Sequence, residues 1–202
     1  MRACEDCGTY VMVHCHGDSG ARRSLKCGVK SFSHVSQLEE ETVKLMAETE
    51  GVEATIQLLV ASNIANYYPK GDPRQVKAVQ CLEATRNVVK WAKKCGLQLS
   101  WGTDLLDSQE LRDQQLKDLT MRLDYGFASA ELMVQATGNG GKCVAMCGKR
   151  NPHGKLGCIE KGAMADLLIY SKNPLEDITI VEDFENNLKL IIKDGDIVKN
   201  EL

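Results

Sequence analysis

Along the first 104 residues the apolar positions switch between two periods. Residues 10–13 (Tyr-Val-Met-Val) form a short β-type run bounded by Gly8 and His14. Ser19 then offers an N-cap to a short helix over 20–26, which stops at Cys27-Gly28. A second short strand is predicted over 29–32, running up to His34. The acidic start and apolar content of 38–48 predict a helix with its glutamates at the favourable end of the dipole. Residues 53–60 read as a third strand. Residues 62–73, with Asn, Gly, two prolines and two tyrosines, read as a loop. From 74 to 94, Val76, Val79, Leu82, Val89 and Ala92 recur near the helical period, and Gly96 supplies a C′ glycine. A fourth strand, 97–101, closes on Gly102-Thr103-Asp104. Strand and helix alternating in this rhythm predict parallel strands with crossover helices, an α/β fold.

After Asp104 the rhythm stops. Residues 110–126 and 129–137 read as helices, the second N-capped by Ser129. Residues 139–148 are ambiguous, because Gly140 and Gly141 interrupt a helical pattern. A polar loop over 151–157 leads into short strands at 157–159, 166–170, 188–193 and 197–199. Asp194-Gly195 forms a tight hairpin turn between the last two.

The chemistry gathers at strand ends. The first predicted strand finishes in His14-Cys15-His16, the second in His34 and the fourth in Asp104. In a parallel (β/α) arrangement, loops leaving the C-terminal ends of the strands converge on one mouth, where active sites are built. Imidazole with carboxylate suits a divalent ion such as zinc, which activates water at neutral pH. Asp104 could then pass a proton from that water to a leaving amine. Taken singly, each residue has a plainer explanation. A histidine at a strand end is often a satisfied polar group, and Asp104 after Gly-Thr could cap a turn. His16 could support a ligand, contact substrate or do neither. Tyr67 and Tyr68 could reach a substrate or simply pack. His153 is expected to be solvent-exposed.

Composition narrows the field. The hydrophobic share of 43% and charged share of 26% are those of an ordinary globular chain. A net charge of −3 gives no electrostatic reason to expect nucleic acid or an anionic membrane as partner. The first ten residues carry acids and no apolar core, and no apolar run approaches the roughly 18–20 residues needed to span a bilayer. These features predict a soluble, cytoplasmic chain. Nine cysteines are read mainly as small buried hydrophobes, Cys15, Cys81, Cys95 and Cys158 among them. Cys4 and Cys7 alone have redox-like or metal-like spacing, and a lone CxxC lacks the second pair of a structural zinc site.

These residues resemble the amidohydrolase superfamily, in its imidazolonepropionase-like and Xaa-Pro dipeptidase-like branch. The stretch VMVHCHGDSGARRSLKCGVKSFSHVSQLEEETVKLM is similar to that family's fifth and sixth barrel strands, and LSWGTDLL to its eighth. GKRNPHGKLGCIEKGAMADLLIYSKNPLEDI followed by LKLIIKDGDIVKN is similar to its C-terminal return into a small β-sandwich. The resemblance implies a partial (β/α)8 TIM-like barrel, strands five to eight, over residues 1–150, then strands of a composite β-sandwich over 151–202. It implies that His14, His34 and Asp104 are metal ligands, with Asp104 also a candidate general base, and that zinc or another divalent ion activates water. The implied reaction is hydrolysis of a C–N bond in an amide, cyclic amide or dipeptide, with His16 and Tyr68 as candidate substrate contacts. The family's first-strand His-x-His pair and its bridging lysine have no counterpart here, so little activity is expected of the chain alone. A homo-oligomer or a missing N-terminal half is the expected partner. The alternatives are a non-catalytic half-barrel with a relic metal site and, more remotely, a cysteine-based zinc or redox protein.

Overall fold

The computed structural model describes residues 1–105, 109–151 and 154–202. After a short helix α1 (Arg2–Asp6) the chain alternates strand and helix: β1 (Met12–Gly17), α2 (Asp18–Lys26), β2 (Ser31–Gln37), α3 (Glu40–Glu48), β3 (Glu53–Ile56). Two helices, α4 (Leu58–Tyr67) and α5 (Pro73–Cys95), then precede β4 (Gln98–Trp101). The four strands form a parallel sheet in the order β1-β2-β3-β4, the α/β arrangement that the alternation predicts.

The strands differ from expectation in a way that bears on the site. β1 and β2 run through their histidines instead of stopping at them. β3 is half the predicted length, because residues 58–60 open α4. The expected loop over 62–73 is therefore helical as far as Tyr67, and only 68–72 remain a loop. Ala61, Ile64, Ala65 and Tyr68 have helical spacing, and the start of α4 is capped from far away in sequence. The Asp118 carboxylate accepts from the Leu58 and Leu59 amides at 2.7 and 2.9 Å.

Alternation sorts the sheet into two faces. Phe32, Ala54, Ile56 and Leu99 are buried in one apolar core with Val43, Met46, Val88, Val89 and Ala92 of α3 and α5. The register sets Ser31, Glu53 and Gln98, and likewise Ser33, Thr55 and Ser100, side by side on the opposite face. That face is polar, though Ser31, Glu53, Thr55 and Ser100 are buried. α5 has the caps its sequence predicts. Asp72 accepts from Arg74 N at 2.9 Å, Pro73 takes the first turn, and Gly96 closes the helix at φ 74°.

The region predicted as one helix over 110–126 is broken into α6 (Gln109–Asp113), α7 (Gln115–Met121) and a 3₁₀ turn, Arg122–Tyr125. α8 (Ser129–Val134) has Ala128 at its N-cap position with no side-chain cap, and Ser129 lies inside the helix. The Ala128 amide is taken by Glu131 (2.8 Å), while Ser129 Oγ accepts from Ile178 N and docks the tail. A π-helical turn, Gln135–Asn139, carries the chain into α9 (Gly140–Ala145), so the glycines do not end the helix. They permit contact instead: a Cβ on Gly141 would overlap the Leu156 carbonyl, and one on Gly157 the Thr137 carbonyl. Residues 157–159, Cys158 included, are not a strand. The tail then forms β5 (Leu167–Tyr170), a short helix α10 (Phe184–Asn187), β6 (Leu188–Lys193) and β7 (Asp196–Asn200). These strands make an antiparallel sheet. Asp166 ties its hairpin down, accepting from the Asp194 amide and Lys193 Nζ at 2.8 and 2.6 Å.

No helix among the described residues is long and apolar enough to cross a membrane. His153 lies outside the described residues.

Candidate metal centre

β1 delivers His14 and His16, two residues apart and so on one side of the strand. β2 delivers His34 by a less regular route. The ladder pairs Cys15 with His34 but Gly17 with Gln37, so β2 has one residue more than β1 over this stretch, a β-bulge. Simple alternation from buried Phe32 would send His34 back towards the helices. Instead His34 and Val35 take left-handed φ values of 76° and 46°. Val35 becomes fully buried in the apolar core, and His34 joins the lining of a cavity. The His34 amide is taken by Gln57 Oε1 at 3.0 Å.

The three imidazoles meet as a result. Ring centroids are 4.4 Å apart for His14–His34, 4.6 Å for His16–His34 and 5.0 Å for His14–His16. One ring nitrogen of each lies within 4.8 Å of the others. Among the described residues this is the one group of three or more His, Cys, Asp or Glu side chains so placed. Asp104, itself at φ 57°, follows β4 and sets Oδ2 3.9 Å from His34 Nε2. Two ligands of one zinc lie at most about 4.2 Å apart, twice the usual Zn–N distance. In a tetrahedral site two such donors sit about 3.4 Å apart, so the His34–Asp104 pair would close by about half an ångström and the imidazoles by up to about 1.4 Å. The donor set fits a borderline divalent ion.

Burial, then the neighbouring His34 and His14, holds His16 down at about 4. Burial and His14 likewise lower His34, against a smaller opposing pull from Asp104. Both rings are neutral at pH 7, the form a metal requires.

The cavity beside these rings has a volume of about 390 Å³. Its far wall comes from α4 and α5, elements whose part in the site the sequence pattern did not reveal: Val60, Ile64, Arg74, Lys77 and Cys81. Tyr68 also lines it, beneath the Arg74 guanidinium at 3.7 Å, whereas Tyr67 points into solvent at 80% exposure. Behind the site, buried Arg122 donates to the Ile56 carbonyl (2.5 Å), the Ser100 carbonyl (3.1 Å) and Gln135 Oε1 (2.5 Å), and pairs with Asp118 at 3.4 Å. Burial lowers Arg122 to about 10, so it stays charged at neutral pH. It ties the ends of β3 and β4 to the start of α4. All nine cysteines are free thiols, and among the described residues Cys4 and Cys7 join no group of three or more metal-capable side chains.

A parallel sheet with crossover helices, and imidazoles of β1 and β2 gathered beside Asp104 just past β4, define an α/β protein of the kind seen in solved amidohydrolases. A prolidase complexed with N-methylphosphonate-L-proline superposes with a TM-score of 0.84 at 27% identity, over 98% of this chain and 47% of that one. A Xaa-Pro dipeptidase with methionine in its active site superposes at 0.80, also at 27% identity, over 98% and 47%. In sequence, ochratoxinase of Aspergillus niger is 28% identical over 181 residues, 86% of this chain and 35% of that protein. The sequence profile of the amidohydrolase family matches residues 1–198, and the chain belongs to that family. It spans about a third of the length of the curated relative and about half that of the solved structures.

Proposed function

We propose that this chain supplies one half of the active site of a metal-dependent hydrolase that cleaves C–N bonds in amides, cyclic amides or dipeptides. The observation that carries this reading is the convergence of His14, His34 and Asp104 from three separate strands. His14 and His34 would hold the ion, zinc by preference, with Asp104 as a further ligand. When bound, the ion supplies Lewis-acid activation of water and of the scissile carbonyl. Asp104 would take the water's proton and return it to the departing amine, which would leave as a neutral molecule. Tyr68 and the walls of α4 and α5 orient the substrate and limit access of bulk water.

We read β1 to β4 as strands five to eight of a (β/α)8 barrel occupying residues 1–150, and residues 151–202 as part of a composite β-sandwich. The parallel order of the first sheet and the antiparallel order of the second support that division. The alternative reading is a non-catalytic half-barrel with a relic metal site. The test takes the protein as made in its own cell, purified with its metal, and offers it N-acyl amino acids, Xaa-Pro dipeptides and cyclic amides. Release of free amine, lost on Asp104→Asn, is expected. Metal-replete protein that cleaves none of them would favour the half-barrel.

A further inference from the structure

We propose that Lys77 makes the cavity beside the imidazoles selective for amide substrates that carry a carboxylate, which its ammonium receives. Resting on the hydrolase reading above, this adds the charge of the substrate and the side chain that selects it.

One face of α5 lines the cavity: Arg74, Lys77, Ala78, Cys81 and Leu82 recur there at helical spacing. Arg74 and Lys77 bring charge near the start of the helix, and the smaller and apolar residues follow, with Val60 and Ile64 of α4 beside them. The two cations differ in how they are held. Arg74 donates from Nε and Nη2 to the two oxygens of Asp72, at 2.9 and 2.8 Å, and lies over the Tyr68 ring. Its charge is met within its own turn. Lys77 is exposed and, among the described residues, has no hydrogen bond and no ion pair. Its ammonium is nevertheless within electrostatic reach of the site: burial first, then the His34 and His14 rings, then Lys77 hold His16 down. Asp104 is the one acid among the described lining residues, and its carboxylate lies 3.9 Å from His34 Nε2 at the metal centre. The α5 wall is thus left with an uncompensated positive charge next to aliphatic surface. A carboxylate there gains a charge-assisted hydrogen bond, and the carbon chain that bears it covers Ala78, Leu82 and Ile64. A cationic group at the same place meets repulsion, so the wall discriminates by charge as well as by shape.

The experiment titrates the full 202-residue chain, zinc-loaded and zinc-free, with four dipeptides, following the amide ¹H–¹⁵N shifts of residues 74–85. Gly-Glu carries two carboxylates, Gly-Gln only the terminal one, the α-amide of Gly-Glu only the side-chain one, and the α-amide of Gly-Gln neither. Shifts at Lys77 and Ala78 are expected, with Gly-Glu bound at least about fivefold more tightly than the dipeptide that has no carboxylate. Whichever singly carboxylated dipeptide keeps that advantage shows which carboxylate Lys77 receives. Lys77→Gln, at an exposed position, should erase the advantage, and Lys77→Glu should reverse it. Equal affinities, an advantage that survives Lys77→Gln, or no shift at 74–85 with any of the four overturns the inference. Histidine ¹⁵N shifts on adding Zn²⁺ separate this from the reading beneath it. Zinc at His14 and His34 without a charge preference leaves the hydrolase reading standing and this inference wrong. A charge preference in a chain whose histidines ignore zinc removes the metal reading and leaves a carboxylate-selective pocket.

Discussion

Among the described residues two places hold neighbouring residues in the left-handed region, and their causes are opposite. At the β6–β7 hairpin these are Asp194 and Gly195, with φ of 54° and 87°. On β2 they are His34 and Val35. The hairpin turn needs that conformation at both central residues, and Asp-Gly adopts it readily. On β2 the local sequence argues against it, above all at Val35, whose branched Cβ makes a positive φ a true outlier. There the surroundings impose the shape: a core that buries Val35, Gln57 receiving the His34 amide, and the bulge between β1 and β2. Among the described residues four non-glycine positions have positive φ, and three of them, His34, Val35 and Asp104, are at the candidate metal centre. Strain of order 1–3 kcal/mol per residue persists where surrounding structure over-determines it, and it clusters at functional sites.

The contrast can be broken most severely at its scaffold. Asp118 caps α4 directly after Gln57 and neutralises buried Arg122. Asp118→Ala leaves a buried guanidinium without its counter-ion and should lower unfolding free energy by about 3–5 kcal/mol, measured by urea denaturation. An effect below about 1 kcal/mol would show that the rim does not depend on this network.

A smaller effect is expected at the rim itself. Gln57→Ala removes the acceptor for the His34 amide and should cost about 1–3 kcal/mol. It should also weaken divalent-metal binding by about ten- to a hundredfold, because the orientation of His34 loses its support. Unchanged metal affinity in isothermal titration would mean that the bulge holds His34 without help.

The smallest change belongs to the hairpin. Gly195→Ala places a Cβ at φ 87° and should cost about 1 kcal/mol, with metal binding untouched, since the turn is held locally by Asp166. A loss of metal affinity there would tie together two regions that this account treats as independent.

The same contrast explains what was legible in the sequence. The helix α5, the Asp-Gly turn and the strand–helix alternation were readable because caps, turn residues and periodicity all lie within a few residues of the structure they cause. His14, His34 and Asp104 were readable as candidates because each sits near the C-terminal end of a β-type run. How they meet was not readable. The bulge depends on register with a second strand, and alternation by itself gives His34 the wrong face. The start of α4 was misread because its cap, Asp118, lies about 60 residues away. Residues 139–148 were ambiguous in sequence because Gly140 and Gly141 look like helix breakers. One of them, Gly141, is required by close contact with the Leu156 carbonyl, a neighbour that no local window contains. Ser129 looked like a cap and serves as an acceptor for the tail.

The central claim, that imidazoles of β1 and β2 share one cation with Asp104, is tested most directly by anomalous diffraction at the zinc edge from crystals of the protein grown with zinc. A single strong peak between the His14 and His34 rings, within about 2–2.2 Å of their nitrogens and of an Asp104 oxygen, is the expected result. A map with its peak at Cys4 and Cys7, or with no peak among these three side chains, would contradict it.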